Sequence, residues 1–185
     1  MTSVTSEQPP STAVDSKSVW SSGISLWLAL SAVLWLAGGA LTSLGLGKWY
    51  ESLDFPPYQP PGWVFTPAWF FILTLLAIAT KRIVGGEDRA TAGDRQLGMF
   101  LYGLQFGLNL GWSVLFFAVQ RPDAAFWEIM VLDGVVLSMV IVYGRIERWA
   151  GWMLVPYFGW LLFATAINFW IAKYNGPFGI VVAID

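Results

Sequence analysis

Charged residues divide this chain into long apolar runs. None falls between Lys17 and Lys48, between Asp54 and Lys81, between Arg95 and Arg121, or between Arg148 and Lys173. Each gap exceeds the roughly 20 residues of α-helix that cross about 30 Å of hydrocarbon. A fifth run, Ala124 to Tyr143, contains Glu128 and Asp133 but keeps Ile129-Met130-Val131-Leu132 and Val135-Val136-Leu137. The pattern predicts five helices near residues 24–43, 62–80, 97–119, 124–143 and 149–172. The alternation of a β-barrel is not seen, and helices and closed barrels are the two structures that span a bilayer. The expected fold class is all-α, a polytopic membrane protein built as a five-transmembrane-helix bundle. Residues 1–18, rich in Ser, Thr and Pro, read as a disordered polar tail before a membrane domain at 19–175 and a C-terminal tail at 176–185. No basic region precedes the first apolar run, so that run reads as the first span and not as a secretory signal.

Composition agrees and removes whole classes of chemistry. Apolar residues make up 56% and charged residues only 12%, half of the about 25% typical of soluble domains. Aromatics reach 17%, with 12 tryptophans, as suits a protein that lives between water and lipid. Cysteine is absent, which excludes disulfides and thiolate catalysis. Histidine is absent too, which removes the usual general base, most zinc sites and the usual haem ligand. No catalytic group and no metal site is expected. A net charge of −2 without a basic cluster excludes nucleic acid as a partner.

Lys17, Lys81, Arg82, Arg89, Arg95, Arg145 and Arg148 fall on one side of the five spans, and Lys48, Arg121 and Lys173 on the other. The bias puts the N-terminus in the cytoplasm and the first loop outside, if the host is bacterial. The expected location is then the bacterial cell membrane, or a mitochondrial or other organellar membrane in a eukaryote.

The stretch from Trp49 to Trp69 is the densest local signal. Its prolines stiffen 55–61 into an extended segment over the bundle, Pro61 suits a first helical turn, and Pro67 should loosen or bend the second span. The third span carries two stripes. Gly103, Gly107 and Gly111 lie within about 80° of one another, a doubled GxxxG pattern for packing within the chain or for dimerisation. Gln105, Asn109, Trp112 and Phe116 lie roughly 170° away, placed either for interhelical hydrogen bonds or for a ligand. In the fifth span Tyr157, Trp160, Ala164 and Asn168 share one face beyond Pro156, whose missing N–H should kink the helix. That stripe serves lipid contact, core packing or a cavity. Glu128 and Asp133 are about 140° apart and cannot form a carboxylate pair. Glu128 is expected to reach the headgroups. Asp133, near mid-depth, should be protonated or bonded to an amide.

Together these motifs resemble the TspO/MBR family, the tryptophan-rich sensory proteins that include the mitochondrial translocator protein (peripheral benzodiazepine receptor). The resemblance covers roughly residues 40–175. It is carried by Trp49-Tyr50 to Leu53, Phe55 to Trp69, then Gln105, Asn109, Trp112, Phe116 and Phe117, then Pro156, Tyr157, Trp160, Phe163, Ala164, Ile167 and Asn168. Tyr58 and Phe55-Pro56 depart from the family pattern, and Ile167 and Phe169 stand where its cholesterol-recognition stretch has Leu and Tyr. The resemblance implies a five-helix bundle, often a homodimer through the third helix, with a pocket open toward the first loop. The family binds porphyrins, sterols and benzodiazepine-type drugs. It implies a pocket lined by Trp63, Asn109, Trp112, Trp160, Ala164 and Ile167, with Gln105 and Tyr157 adjacent. Trp63 and Trp160 would stack on a macrocycle between the second, third and fifth spans, with Asn109 orienting it.

The function expected from this is tetrapyrrole binding in transport, sensing or stress-linked regulation, with porphyrin or haem as ligand and no obligatory cofactor. The partners are lipophilic small molecules, membrane lipid and a second copy through Gly103, Gly107 and Gly111. Light- or oxygen-dependent porphyrin degradation at the tryptophan pocket is the enzymatic alternative, and a structural membrane subunit is the third.

Overall fold

Backbone amides in hydrocarbon find no water, so each long apolar run closes its own hydrogen bonds as a helix. The computed structural model describes residues 16–85 and 91–175 and, in the first helix, side chains from Gly23 onward. Its helices are α1 (Ser16–Gly45), α2 (Lys48–Glu51), α3 (Phe65–Val84), α4 (Ala92–Ser113), α5 (Pro122–Ile146) and α6 (Arg148–Asn175). All but the one-turn α2 are long and apolar enough to cross a membrane, five in number as the apolar runs predict. No strand occurs among the described residues. Of the expected tails, residues 1–15 and 176–185 lie outside the described residues, while Ser16 to Ser18 already belong to α1.

Local chemistry sets the helix ends. The Thr91 hydroxyl accepts from the Asp94 backbone N–H at 3.1 Å and donates to the Asp94 carboxylate at 2.6 Å, a reciprocal cap that starts α4. Pro122 occupies the first turn of α5, where no N–H is needed. Pro67 has no N–H for the Trp63 carbonyl, and the turn before it, Gly62–Val64, is wound as 3₁₀ helix. The expected loosening is therefore placed at the start of α3. Beyond Ser113 the chain continues as one π turn, Val114–Ala118. Gln120, at φ 57°, then reverses it toward α5.

Lipid tails are as apolar as leucine, so helices in a membrane associate through close contact more than through water exclusion. A Cβ added at Gly151 would lie 2.6 Å from the Gly144 Cα and 2.8 Å from the Val140 carbonyl oxygen, so α5 and α6 touch backbone to backbone. A Cβ at Gly45 would lie 2.6 Å from the Phe117 carbonyl oxygen, so the end of α1 sits directly on the π turn. At Gly103 and Gly107 an added Cβ would meet nothing within 4 Å. The first two glycines of the α4 stripe therefore do not pack within the chain.

Between the helices, Leu76, Ile83, Leu132, Met139, Tyr143, Leu154 and Leu161 form the main core. A second cluster of Phe116, Phe117, Ala125, Ile167 and Ile171 receives Trp49, Tyr50, Leu53 and Phe55 from the first loop. That loop is tied to the end of α6: the Asp54 N–H donates to Asn175 Oδ1 at 2.6 Å, and Asn175 Nδ2 donates to the Asp54 carbonyl at 3.0 Å. At the opposite end, the Arg82 guanidinium pairs with Glu147 in the turn between α5 and α6.

Candidate functional site

Helical spacing puts Gln105, Asn109, Trp112 and Phe116 on one face of α4, and packing turns that face inward. Gln105 and Asn109 are buried. The Tyr157 hydroxyl of α6 donates to Gln105 Oε1 at 3.0 Å and accepts from Asn109 Nδ2 at 3.2 Å. One turn on, Trp112 Nε1 donates to Asn168 Oδ1 at 2.8 Å, and Asn168 Nδ2 donates to the Pro122 carbonyl at 2.8 Å. These bonds link the two motif segments across α4 and α6, while Gln105 Nε2 is buried without a partner. They also fix the rotation of both helices.

In front of this network lies a cavity of about 380 Å³, within the range of small-molecule sites. Helix α1 contributes Leu34, Trp35, Gly38, Gly39 and Thr42, and the first loop adds Leu46 and Tyr50. Gly62 and α3 contribute Phe65, Thr66, Trp69 and Leu73. Asn109, Trp112 and Ser113 of α4, Phe117 of the π turn, Ile129 and Leu132 of α5, and Trp160, Leu161 and Ala164 of α6 complete the wall. The indole of Trp112 stacks on Phe116 at 5.1 Å between ring centres, and Phe65 meets Trp160 edge-on at 5.5 Å. Burial raises the Tyr50 hydroxyl above its ordinary pKa.

Of the residues singled out from sequence, Asn109, Trp112, Trp160 and Ala164 meet at this wall. Gln105 and Tyr157 stand directly behind it through their bonds to one another and to Asn109. Ile167 is not on the wall but in the second cluster with Phe116 and Phe117. Trp63 is a correction: it is 74% exposed and does not line the cavity. Six helical residues separate it from Trp69, which leaves the two indoles about 120° apart, so with Trp69 inward Trp63 faces out. The cavity is also broader than the second, third and fifth spans, because α1 and α5 wall it. The α1 residues Trp35, Gly38, Gly39 and Thr42 follow helical spacing, as do Phe65, Thr66, Trp69 and Leu73 of α3. Those two stripes were the signal available for them.

Of the two acids in the middle of α5, Glu128 differs from expectation. Glu128 does not reach toward the headgroups: its carboxylate oxygens are shielded, and Oε1 lies 3.6 Å from where a Cβ of Gly111 would be. Asp133 finds a hydroxyl and not an amide, accepting from Thr165 Oγ1 at 2.8 Å. The α4 stripe Gly103, Gly107 and Gly111 faces away from the cavity, its first two members exposed. No group of acids that would hold a metal ion occurs among the described residues.

Comparison with known proteins places these features. The pattern of the TspO/MBR family matches residues 26–174. A tryptophan-rich protein TspO of Archaeoglobus fulgidus is 36% identical over 75% of this chain and 88% of its own length. One of Chlorobaculum tepidum is 30% identical over 82% of this chain and 95% of its own length. The translocator protein of Sus scrofa is 30% identical over 75% and 83%, respectively.

Proposed function

Because the chain belongs to the TspO/MBR family and is an integral, multi-pass membrane protein, we propose that it binds tetrapyrroles within the bilayer and serves in their transport or sensing. A single observation carries this reading: Trp35, Trp69, Trp112 and Trp160, from four different spans, surround one apolar cavity that holds few polar groups. Indole faces suit a flat conjugated ring, and a small number of oriented polar groups is what an apolar pocket uses to set a ligand's pose. Relatives named as sensory and translocator proteins agree with a binding role. We further propose a homodimer through α4, where Gly103 and Gly107 offer open backbone to a neighbour.

The test is a titration of protoporphyrin IX into the protein in lipid nanodiscs, read by tryptophan fluorescence quenching. Saturable quenching is expected, and Trp160→Leu should weaken it about tenfold, from lost stacking and lost area together. Quenching that rises linearly without saturation, or is equal in the variant, refutes tetrapyrrole binding at this cavity.

A further inference from the structure

We infer that the cavity is selective for uncharged flat aromatic ligands whose inner edge donates a hydrogen bond to Asn109, and that any ionised carboxylate of a ligand stays outside, at the first-loop mouth. The inference rests on the cavity reading above and names the chemistry of what enters.

The wall carries the argument. No lysine, arginine, aspartate or glutamate lines the cavity, and Tyr50 is its one ionisable side chain among the described residues. The acids of α5 flank the wall residues Ile129 and Leu132 but turn aside, Glu128 to Gly111 and Asp133 to Thr165. An ionised carboxylate taken inside would lose its water and meet no counter-charge, which is the costliest kind of burial. Among the described residues, exposed Lys48 stands between the wall residues Leu46 and Tyr50 in the chain, on the first-loop side.

Several donors at the inner end are already engaged. Trp112 gives its indole N–H to Asn168, and Asn109 gives Nδ2 to Tyr157, whose own proton goes to Gln105. Ser113 gives its hydroxyl proton to the Asn109 backbone carbonyl. Asn109 Oδ1 takes no part in these bonds, and the Ser113 oxygen keeps lone pairs free. The inner wall therefore offers acceptors at Asn109 and Ser113. Thr42 and Thr66, on the facing wall, carry hydroxyls that turn either way and select nothing.

Three probes of one size test this without any tetrapyrrole: 1-methylpyrene, 1-aminopyrene and 1-pyrenecarboxylate. Binding to the protein in nanodiscs is read by energy transfer from tryptophan, corrected for partition into nanodiscs without protein. At about pH 8, where the acid is ionised, the expected order is aminopyrene, then methylpyrene, then carboxylate. The amine should gain about threefold to tenfold over methylpyrene, the worth of one neutral hydrogen bond. The carboxylate should bind about tenfold or more below methylpyrene. Asn109→Leu, similar in volume, should erase the amine's advantage over methylpyrene measured in the same variant. A carboxylate that matches methylpyrene overturns the inference, as does an amine advantage that survives in Asn109→Leu, or no saturable binding of any probe. A protein that binds the neutral pyrenes in this order but no porphyrin would refute the tetrapyrrole reading alone.

Discussion

Asn109 on α4 and Tyr157 on α6 are joined by a hydrogen bond of 3.2 Å, donated by the asparagine amide. Tyr157 is 1% exposed and never reaches the cavity. It nevertheless decides how Asn109 presents itself there, because it accepts one amide proton and passes its own to Gln105 at 3.0 Å. Removing the hydroxyl should therefore disturb both the bundle and the site. Tyr157→Phe leaves two buried amide groups without that partner and is expected to cost about 1–3 kcal/mol. Thermal unfolding in a fixed detergent measures the cost, and an unchanged midpoint would show that the network is dispensable.

Glycines of the same type should behave in opposite ways. Gly151→Ala forces a methyl into the Gly144 backbone and should destabilise the α5–α6 contact by about 1–3 kcal/mol. Gly103→Ala meets open space and should leave the unfolding midpoint of the monomer where it was. Gly107→Leu, also harmless to the monomer, should shift the protein from dimer to monomer in cross-linking and light scattering. A Gly107→Leu protein that remains dimeric would remove α4 as the interface.

Trp160 and Trp63 separate the cavity from the surface. Trp160→Ala should weaken porphyrin binding about tenfold or more. Trp63→Ala, from a side chain 74% exposed, should bind as the parent does. Equal losses in both variants, at equal expression and helicity, would mean that the indole assignment is wrong.

Alkaline pH offers a check on the first-loop side of the cavity. Burial raises the Tyr50 pKa, so the folded protein prefers the neutral phenol. For such a group the stabilisation is fully present below the unfolded value of about 10 and is lost as pH rises through the folded value. Stability should accordingly fall above about pH 10, and Tyr50→Phe should fall less steeply over the same window. Parallel curves for the two proteins would contradict a Tyr50 hydroxyl shielded from water.

Topology can be read directly because the chain has no cysteine. Ser52 and Thr91 are both exposed and lie at opposite ends of α3. In a bacterial host, Ser52→Cys should react in intact cells with an impermeant maleimide, and Thr91→Cys only after lysis. The reverse result would invert the orientation derived from the lysine and arginine bias.

Much of this protein was legible without coordinates. Four charge-free gaps and one apolar run holding two acids marked the five spans, because hydrocarbon forces an apolar run of fixed length to close its own hydrogen bonds. Helical spacing also grouped Gln105, Asn109 and Trp112 on one side of the third span, and Tyr157, Trp160 and Ala164 on one side of the fifth. Periodicity fixes the phase of residues within a helix. It does not fix how far each helix is rotated against its neighbours. That rotation was decided by contacts between distant segments: the backbone approach of Gly151 to Gly144, the bond from Trp112 to Asn168 and the seating of Gly45 on Phe117. Those contacts turned Trp69 inward and Trp63 outward, brought Trp35 and Gly38 of α1 into the wall, and left Gly103 and Gly107 facing away. They also set Glu128 against Gly111, where depth alone had pointed it at the headgroups. Length, depth and face are local consequences of composition and helical period, while the choice of neighbour for each face exists only once five helices pack together.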